Sequence, residues 1–468
     1  MRQLIGILLF AIGISLTTGS CKKDRFNTSF DARLTTSTDS IKFDTVFTTV
    51  GSITQSFKIF NENDEQLRLS TIKLMGGTAS AFKININGQA VTQWNDIDIA
   101  ANDSIYVFVT AFIDPTNQQA PFLLQDSILI QYNGNNRFVQ LEAYGQNAHY
   151  LHEVVIQGQQ NWTNDLPYVI TGGLRVDTAA HLSIEAGCRI YLHANAPWIV
   201  DGQLTVNGRY PDPVTFTGDR LDTYYRDLPG SWPGMLFRGL SHDNTLTFTN
   251  IRNAVQGLVV TDPSINSAPK LTLHQCIISN ASDAGLLAIQ TRISADNCLV
   301  SNCGKSLIWQ GGGEADFTHC TVAAYSNSFQ LHRNPALTLS NSRVVSGSLQ
   351  SFDLSAVFRN CIFWGSEGLI DDEVILQRDG NTAYDVTLDH CLYRATSDPV
   401  LATLLAPIRN EDPRFDSIDV SNQYYDFHRT HDPFAPGIDQ GVATPIPKDL
   451  DDAPRNLNGP DLGCYEKQ

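Results

Sequence analysis

The sequence predicts an all-β chain in two parts: a β-sandwich, then a solenoid of stacked coils. Three observations predict it. Cys276, Cys298 and Cys320 recur 22 residues apart, and Ser342 takes the next place at the same spacing. A fixed period with a repeated small residue marks a solenoid. Ahead of it, seven short alternating strands crowd into residues 39–148. The composition agrees, because three Met against 23 Phe and 15 Tyr suits strands better than helices.

Residues 1–20 read as a signal peptide. Arg2 gives the positive start, and the apolar run from Leu4 to Leu16 is shorter than the ~20 residues a membrane span needs. The run ends Thr17-Thr-Gly-Ser20-Cys21. Small residues before a Cys resemble the lipobox of bacterial lipoproteins. The resemblance implies cleavage before Cys21 and acylation of its thiol, with chains such as palmitate, so that the membrane is a partner through the lipid. Lys22-Lys23-Asp24 resembles the signal that sends some Gram-negative lipoproteins to the cell surface. It implies an outer-membrane address facing the exterior. Residues 21–38, rich in Thr and Ser and without period, read as the lipidated Cys and a flexible tether.

Residues 39–148 alternate apolar and polar in short runs such as Ile41-Lys-Phe43, Phe57-Lys-Ile59, Phe82-Lys-Ile84 and Ile105-Tyr-Val107. Turn signals at Asn87-Gly88, Asn102-Asp103 and Asn133-Gly134 separate them. Seven strands over ~100 residues form an immunoglobulin-like pattern. The pieces Phe57-Lys-Ile-Phe-Asn61, Phe112-Ile-Asp-Pro115 and Leu141-Glu-Ala-Tyr-Gly145 also resemble the bacterial domains related to the abnormal-spindle family. That resemblance implies a spacer or protein-contact module.

Residues 149–165 read as a linker and 166–395 as the solenoid. Tyr168-Val-Ile-Thr-Gly-Gly-Leu174, His181-Leu-Ser-Ile184 and Gly202-Gln-Leu204-Thr-Val206 follow one another. They resemble the opening coils of bacterial right-handed parallel β-helices of the pectate-lyase-like superfamily. In the regular coils, Gln275, Asn297, His319, Asn341, Asn360 and His390 each stand immediately before Cys276, Cys298, Cys320, Ser342, Cys361 and Cys391. Asn tolerates a left-handed backbone, so this file is expected to sit at the bends while the thiols face inward as free, small apolar groups. About ten coils fit, a rod on the order of 50 Å at ~4.8 Å per rung. The long step to Cys391 implies an excursion near 366–384.

Residues 396–468 read as the C-terminal cap, which an open last coil requires. Asp432-Pro-Phe-Ala-Pro-Gly-Ile438-Asp, Ala453-Pro-Arg455 and Asp461-Leu-Gly-Cys-Tyr-Glu466 resemble a tail common on bacterial surface β-helix proteins. Asp432, Asp452 and Cys464 stand where that tail has Ser, Gly and Ala.

The balance of 32 basic to 49 acidic residues, a formal charge of -17, argues against nucleic acid. No phosphate-cradling loop and no serine elbow occurs. Asp371, Asp372 and Glu373 form an acidic cluster in the long excursion, with Arg378 and Asp379 close by. Pectate lyases of this fold pair such carboxylates with Ca²⁺, and a basic residue takes the proton; the plainer reading is a solvated acidic loop. His319 and His390, each just before a Cys, and His274, two before Cys276, could ligate Zn²⁺; but adjacent strand residues point to opposite faces and His serves here where Asn does elsewhere, so a structural role explains them better. No other cofactor is implied. Among the aromatics, Tyr224, Tyr225 and Trp232 lie in an irregular Pro/Gly-bounded loop and suit stacking on sugars. Trp198, Trp309 and Trp364 fall on coil strands.

These features point to a lipid-anchored envelope protein that binds a glycan, or another extended partner such as a cell-surface protein, without catalysis. The alternatives are a polysaccharide lyase or glycoside hydrolase, and a purely structural or adhesive rod.

Overall fold

The computed structural model describes residues 25–48, 51–114, 122–222, 224–366, 369–430 and 432–467. The signal peptide, Cys21 and the lysines after it lie outside the described residues. The chain divides into two compact units, Met1–Asn147 and Ala148–Gln468.

The first unit is a sandwich of two five-stranded sheets. One orders Leu34–Thr36, Gln55–Asn61, Ser104–Ala111, Phe82–Ile86 and Gln89–Ala90. The other orders Ser40–Phe47, Asn135–Gln146, Phe122–Tyr132, Leu67–Leu74 and Gln93–Ile99. Alternation puts Phe43, Phe57, Ile59, Val107, Val109 and Ile130 into one core, each contributing roughly 1.5–3 kcal/mol by leaving water. Two expectations need correcting. The stretch read as tether joins the sandwich from Arg25 onward: Phe26 bridges Gln66, and Leu34–Thr36 pairs antiparallel with Gln55–Asn61. Its polar composition hid Ala32 and Leu34, which are buried and anchor it. Gln93–Ile99 is a further strand, masked in the sequence by Asn95-Asp96, where Asp96 has φ 54°.

The second unit is a parallel β-helix whose strands form one 26-stranded sheet. The stretch 149–165 is its first coil, not a linker. His149–Ile156 pairs parallel with Tyr168–Val176, and Gln159–Trp162 with His181–Glu185. Terminal coils have a neighbour on one side only, so this one buries little beyond Ile156 and Trp162 and reads as polar. Three faces repeat. The first runs through His181–Glu185, Gln203–Asn207, Asn244–Thr247 and Leu271–His274. The second runs through Thr249–Arg252, Ile277–Ser279, Leu299–Ser301, Thr321–Tyr325, Ile362–Ser366 and Leu392–Tyr393. The third includes Trp232–Phe237 and Ala254–Thr261.

Register fixes the thiol column. Ile277 pairs Leu299, Leu299 pairs Thr321, Thr321 pairs Ile362 and Ile362 pairs Leu392. The residues just before them, Cys276, Cys298, Cys320, Cys361 and Cys391, therefore stack rung on rung, all buried and free. Ser342 does not belong to this column. The chain leaves the helix after Leu337–Ser340 as an antiparallel hairpin, Ser342–Val345 against Ser348–Ser351, and resumes at Leu354. The equal spacing counted residues that leave the coil. The bend file forms as expected at Gln275, Asn297, His319, Asn360 and His390, with φ between 49° and 54°. Asn341, on the excursion, is not part of it.

The C-terminal region differs from a simple end plate. Thr403–Leu405 and Ile408–Arg409 continue the parallel sheet. Beyond them the tail lies along the second face. Phe427, Leu450, Leu462, Cys464 and Tyr465 pack on the outward side chains of Leu299, Ala323, Ile362, Trp364 and Leu392. The bend file holds it there. Gln275 donates to the Asp449 carbonyl at 2.8 Å, Asn297 to that of Lys448 at 2.8 Å, and Asn360 to that of Val442 at 2.8 Å. His319 meets the Thr444 hydroxyl at 3.1 Å. Arg455, fully buried, donates to Asn297 at 2.8 Å and pairs with Glu466 at 3.0 Å.

Candidate functional site: a cleft beside the tail

The outward side chains of the second face change character along the helix. One file reads Asn250, Ile277, Leu299, Thr321, Ile362, Leu392; its neighbour reads Arg252, Ser279, Ser301, Ala323, Trp364. The apolar end must be covered, and the tail covers it. Toward the polar end the cover stops, and a cleft of about 780 Å³ opens. Its floor is Asn250, Arg252, Ile277, Ser279, Leu299 and Ser301.

Three segments wall it. The antiparallel hairpin Phe415–Asp419 and Tyr424–Arg429 brings its turn, Asn422 to Tyr424. The loop before Trp232 brings Tyr224, Arg226 and Asp227, and the loop after Tyr325 brings Asn327 and Phe329. Tyr224 is 75% exposed, Tyr424 56% and Phe329 41%. Three large exposed rings around one concavity offer faces for a ligand to stack on.

Each wall is fixed by bonds the sequence did not advertise. Asn253, Asn280 and Asn302 hold left-handed backbone at a second row of bends. Asn253 donates to the Arg226 carbonyl at 2.6 Å, and Asn280 to the Asp227 carbonyl at 2.8 Å and to Asn253 at 2.8 Å. This asparagine ladder pins the Tyr224 loop. Its signal was present as Asn one place beyond three successive second-face strands, Thr249–Arg252, Ile277–Ser279 and Leu299–Ser301. Arg226 and Arg252 both reach the Asp227 carboxylate, at 3.2 and 3.3 Å. The Phe329 loop is tied inward by His332, which meets Glu373 at 2.7 Å with both side chains buried. The hairpin is tied by His428, set between Asp426 and Asp451 and lying 3.9 Å from the Tyr465 ring. Asp451, then Asp426, raise the His428 pKa to about 9.

Of the residues anticipated from sequence, Tyr224 lines the cleft. Tyr225 stands behind it, edge-on at 4.8 Å, with the Arg220 guanidinium 3.9 Å over its ring. Trp232 is a correction: it is fully buried in the coil core and donates to the Arg252 carbonyl at 2.8 Å. The strand Trp232–Phe237 points it inward. The acidic cluster is a second correction. Asp371 pairs with Arg394 at 3.2 Å and Asp372 accepts from the Thr396 amide at 2.6 Å. Glu373 is buried on His332 and the Ala336 amide, and Arg378 lies 5.8 Å over the Tyr384 ring. These four groups face different partners among the described residues.

The bend histidines have other work. Burial, then the charge of Arg455, lowers the His319 pKa to about 3, so it stays neutral. His274 meets Asp296 at 2.5 Å and His390 meets Asp389 at 2.7 Å. Among the described residues no group of three or more His, Cys, Asp or Glu is arranged to hold a metal ion. Trp198 and Trp309 are core residues, and Trp364 lies under the tail.

No family profile matches the chain, and no curated protein matches it. Among solved structures, part of the chain is similar to a family 123 glycoside hydrolase from Clostridium perfringens studied for glycolipid glycan hydrolysis. The identity is 9% and the TM-score 0.18, over 25% of this chain and 26% of that one. Part is also similar to the ASH/PapD-like domain of human CEP192, at 8% identity and a TM-score of 0.17, over 25% and 85% of the two chains. At such scores neither likeness bears on what the cleft does.

Proposed function

We propose that the protein is a lipid-anchored envelope protein, displayed on the outer membrane toward the exterior, that binds a glycan in the cleft without transforming it. The observation that carries this reading is the ring of exposed aromatics, Tyr224, Tyr424 and Phe329, around a floor of amide and hydroxyl groups at Asn250, Ser279 and Ser301. Rings stack on the C–H faces of sugars, and amides and hydroxyls bond their hydroxyls. The cleft carboxylates favour binding over hydrolysis or elimination, because Asp227 is held by two arginines and Asp426 by His428. A free acid/base pair is what those reactions need.

Titration of the full chain with neutral and acidic polysaccharides tests the cleft. Tyr224→Ala combined with Tyr424→Ala is expected to weaken binding at least tenfold while melting is unchanged. Unchanged affinity removes the site, and new reducing or unsaturated ends in the mixture establish the lyase or hydrolase alternative. Absence of binding to any glycan leaves the structural rod. The anchor is tested separately: labelled palmitate is expected in the parent protein and lost in Cys21→Ala, and equal labelling of both sinks the lipoprotein assignment.

A further inference from the structure

The sandwich was expected to be a spacer or protein-contact module, and one of its sheets carries an outward face of lysines and aromatics. The strands Gln55–Asn61, Ser104–Ala111 and Phe82–Ile86 alternate strictly, with Phe57, Ile59, Val107, Val109, Phe82 and Ile84 in the core. Their outward side chains include two lysines, Lys58 and Lys83, and no carboxylate, in a protein of formal charge -17. Between the lysines stand Tyr106 and Phe108, 42% and 38% exposed, with ring centroids 5.7 Å apart and planes 14° from parallel. Lys58 Nζ lies 4.7 Å from the Tyr106 centroid, and Lys83 and Asn85 flank Phe108 from the neighbouring strand. Beside Phe108 the surface is concave: a cavity of about 450 Å³ is lined by Lys83, Asn85, Phe108 and Thr110 among others, with Lys83 its one charged side chain among the described residues. No ion pair engages Lys83 among those residues.

We infer that this face is a second binding site, specific for an acidic saccharide of the uronate class. The ring face of such a sugar lies on Phe108, its carboxylate meets Lys83, and its hydroxyls meet Asn85 and Thr110. The charge selects an anion on an otherwise acidic molecule. The aromatic pair selects a ligand with a flat apolar face, and Lys58 over Tyr106 holds a second cation on the same face without neutralising it. A concavity of this volume suits a small-molecule unit, whereas a lipid surface requires no pocket. This site is independent of the cleft, which lies in the other unit.

The test is calorimetric titration of the full chain with tetragalacturonate and with its fully methyl-esterified form. The acid is expected to bind at least tenfold more tightly than the ester. Phe108→Ala and Lys83→Gln, both exposed positions, are each expected to weaken acid binding at least tenfold, and Tyr224→Ala in the cleft is expected to leave the Phe108- and Lys83-dependent binding unchanged. Failure of tetragalacturonate to bind overturns the assignment, as does equal affinity for the ester or affinity unmoved in both variants. Binding of phosphatidylglycerol vesicles that depends on Phe108 and Lys83 and is not displaced by tetragalacturonate replaces the saccharide with a membrane surface and equally overturns it.

Discussion

Two histidines, His428 in the tail and His319 in the coil beneath it, have their charge states set in opposite directions, and the sign of each has a consequence. His428 is bonded by Asp451 and Asp426, so its folded-state pKa rises from 6.5 to about 9. Its contribution to stability is complete below pH 6.5 and is lost as pH rises through about 9. His319 is buried beside Arg455 and its pKa falls to about 3. The unfolded chain then binds a proton that the folded chain refuses, so stability drops as pH falls from 6.5 toward 3. We expect the melting temperature of His428→Gln to lose less than the parent between pH 7 and 10, and that of His319→Asn to lose less between pH 6 and 4. Parallel pH profiles for parent and variants would contradict these assignments. The Arg455–Glu466 pair belongs to the same layer. It is buried, so removing one partner leaves a charge stranded at a cost of roughly 3–5 kcal/mol.

At the scale of single elements, the thiol column shows what periodicity can and cannot reveal. Cys276, Cys298 and Cys320 stack because each occupies the place after a left-handed bend, and the same bend recurs at Asn360 and His390. Those places were legible, since Asn, Gln or His before a Cys is a local pattern. Ser342 also fitted the count, but a hairpin consumes the residues between Ser340 and Leu354, and counting alone cannot see residues that leave the coil. Burial raises the Cys303 pKa to about 12 and pushes those of Cys298, Cys320 and Cys361 up as well. Thiolate is the reactive form. Iodoacetamide at pH 8 is therefore expected to leave these four unmodified in the folded protein and to label them fully in guanidinium, read by mass spectrometry. Labelling of Cys298, Cys320 or Cys361 without denaturant would show that the column is open to solvent, and labelling of Cys303 that the bend beside it is. The site was less legible than the fold. Tyr224 was found because its loop is irregular, but Tyr424 and Phe329 reach the cleft only through tertiary placement of a tail and a loop far apart in sequence. Trp232 misled because the flanking Pro and Gly suggested a loop where the chain forms a core strand.

On the scale of the second unit, a gradient in one sheet face explains both cover and cleft. Side chains toward the later coils, Ile362, Trp364 and Leu392, demand an apolar partner, and those toward the earlier coils, Asn250, Arg252 and Ser279, do not. The tail answers the first demand and stops at the second, so the cleft is the place where shielding ends. Because the tail follows the coils in the chain, it emerges from the ribosome after they do. Coils that form early must wait with a sticky flank bare until their own last segment arrives to lie down on it. A product cut short before residue 410 carries that flank permanently uncovered. Such a fragment advertises its own incompleteness to chaperones and proteases, which bind exposed apolar surface.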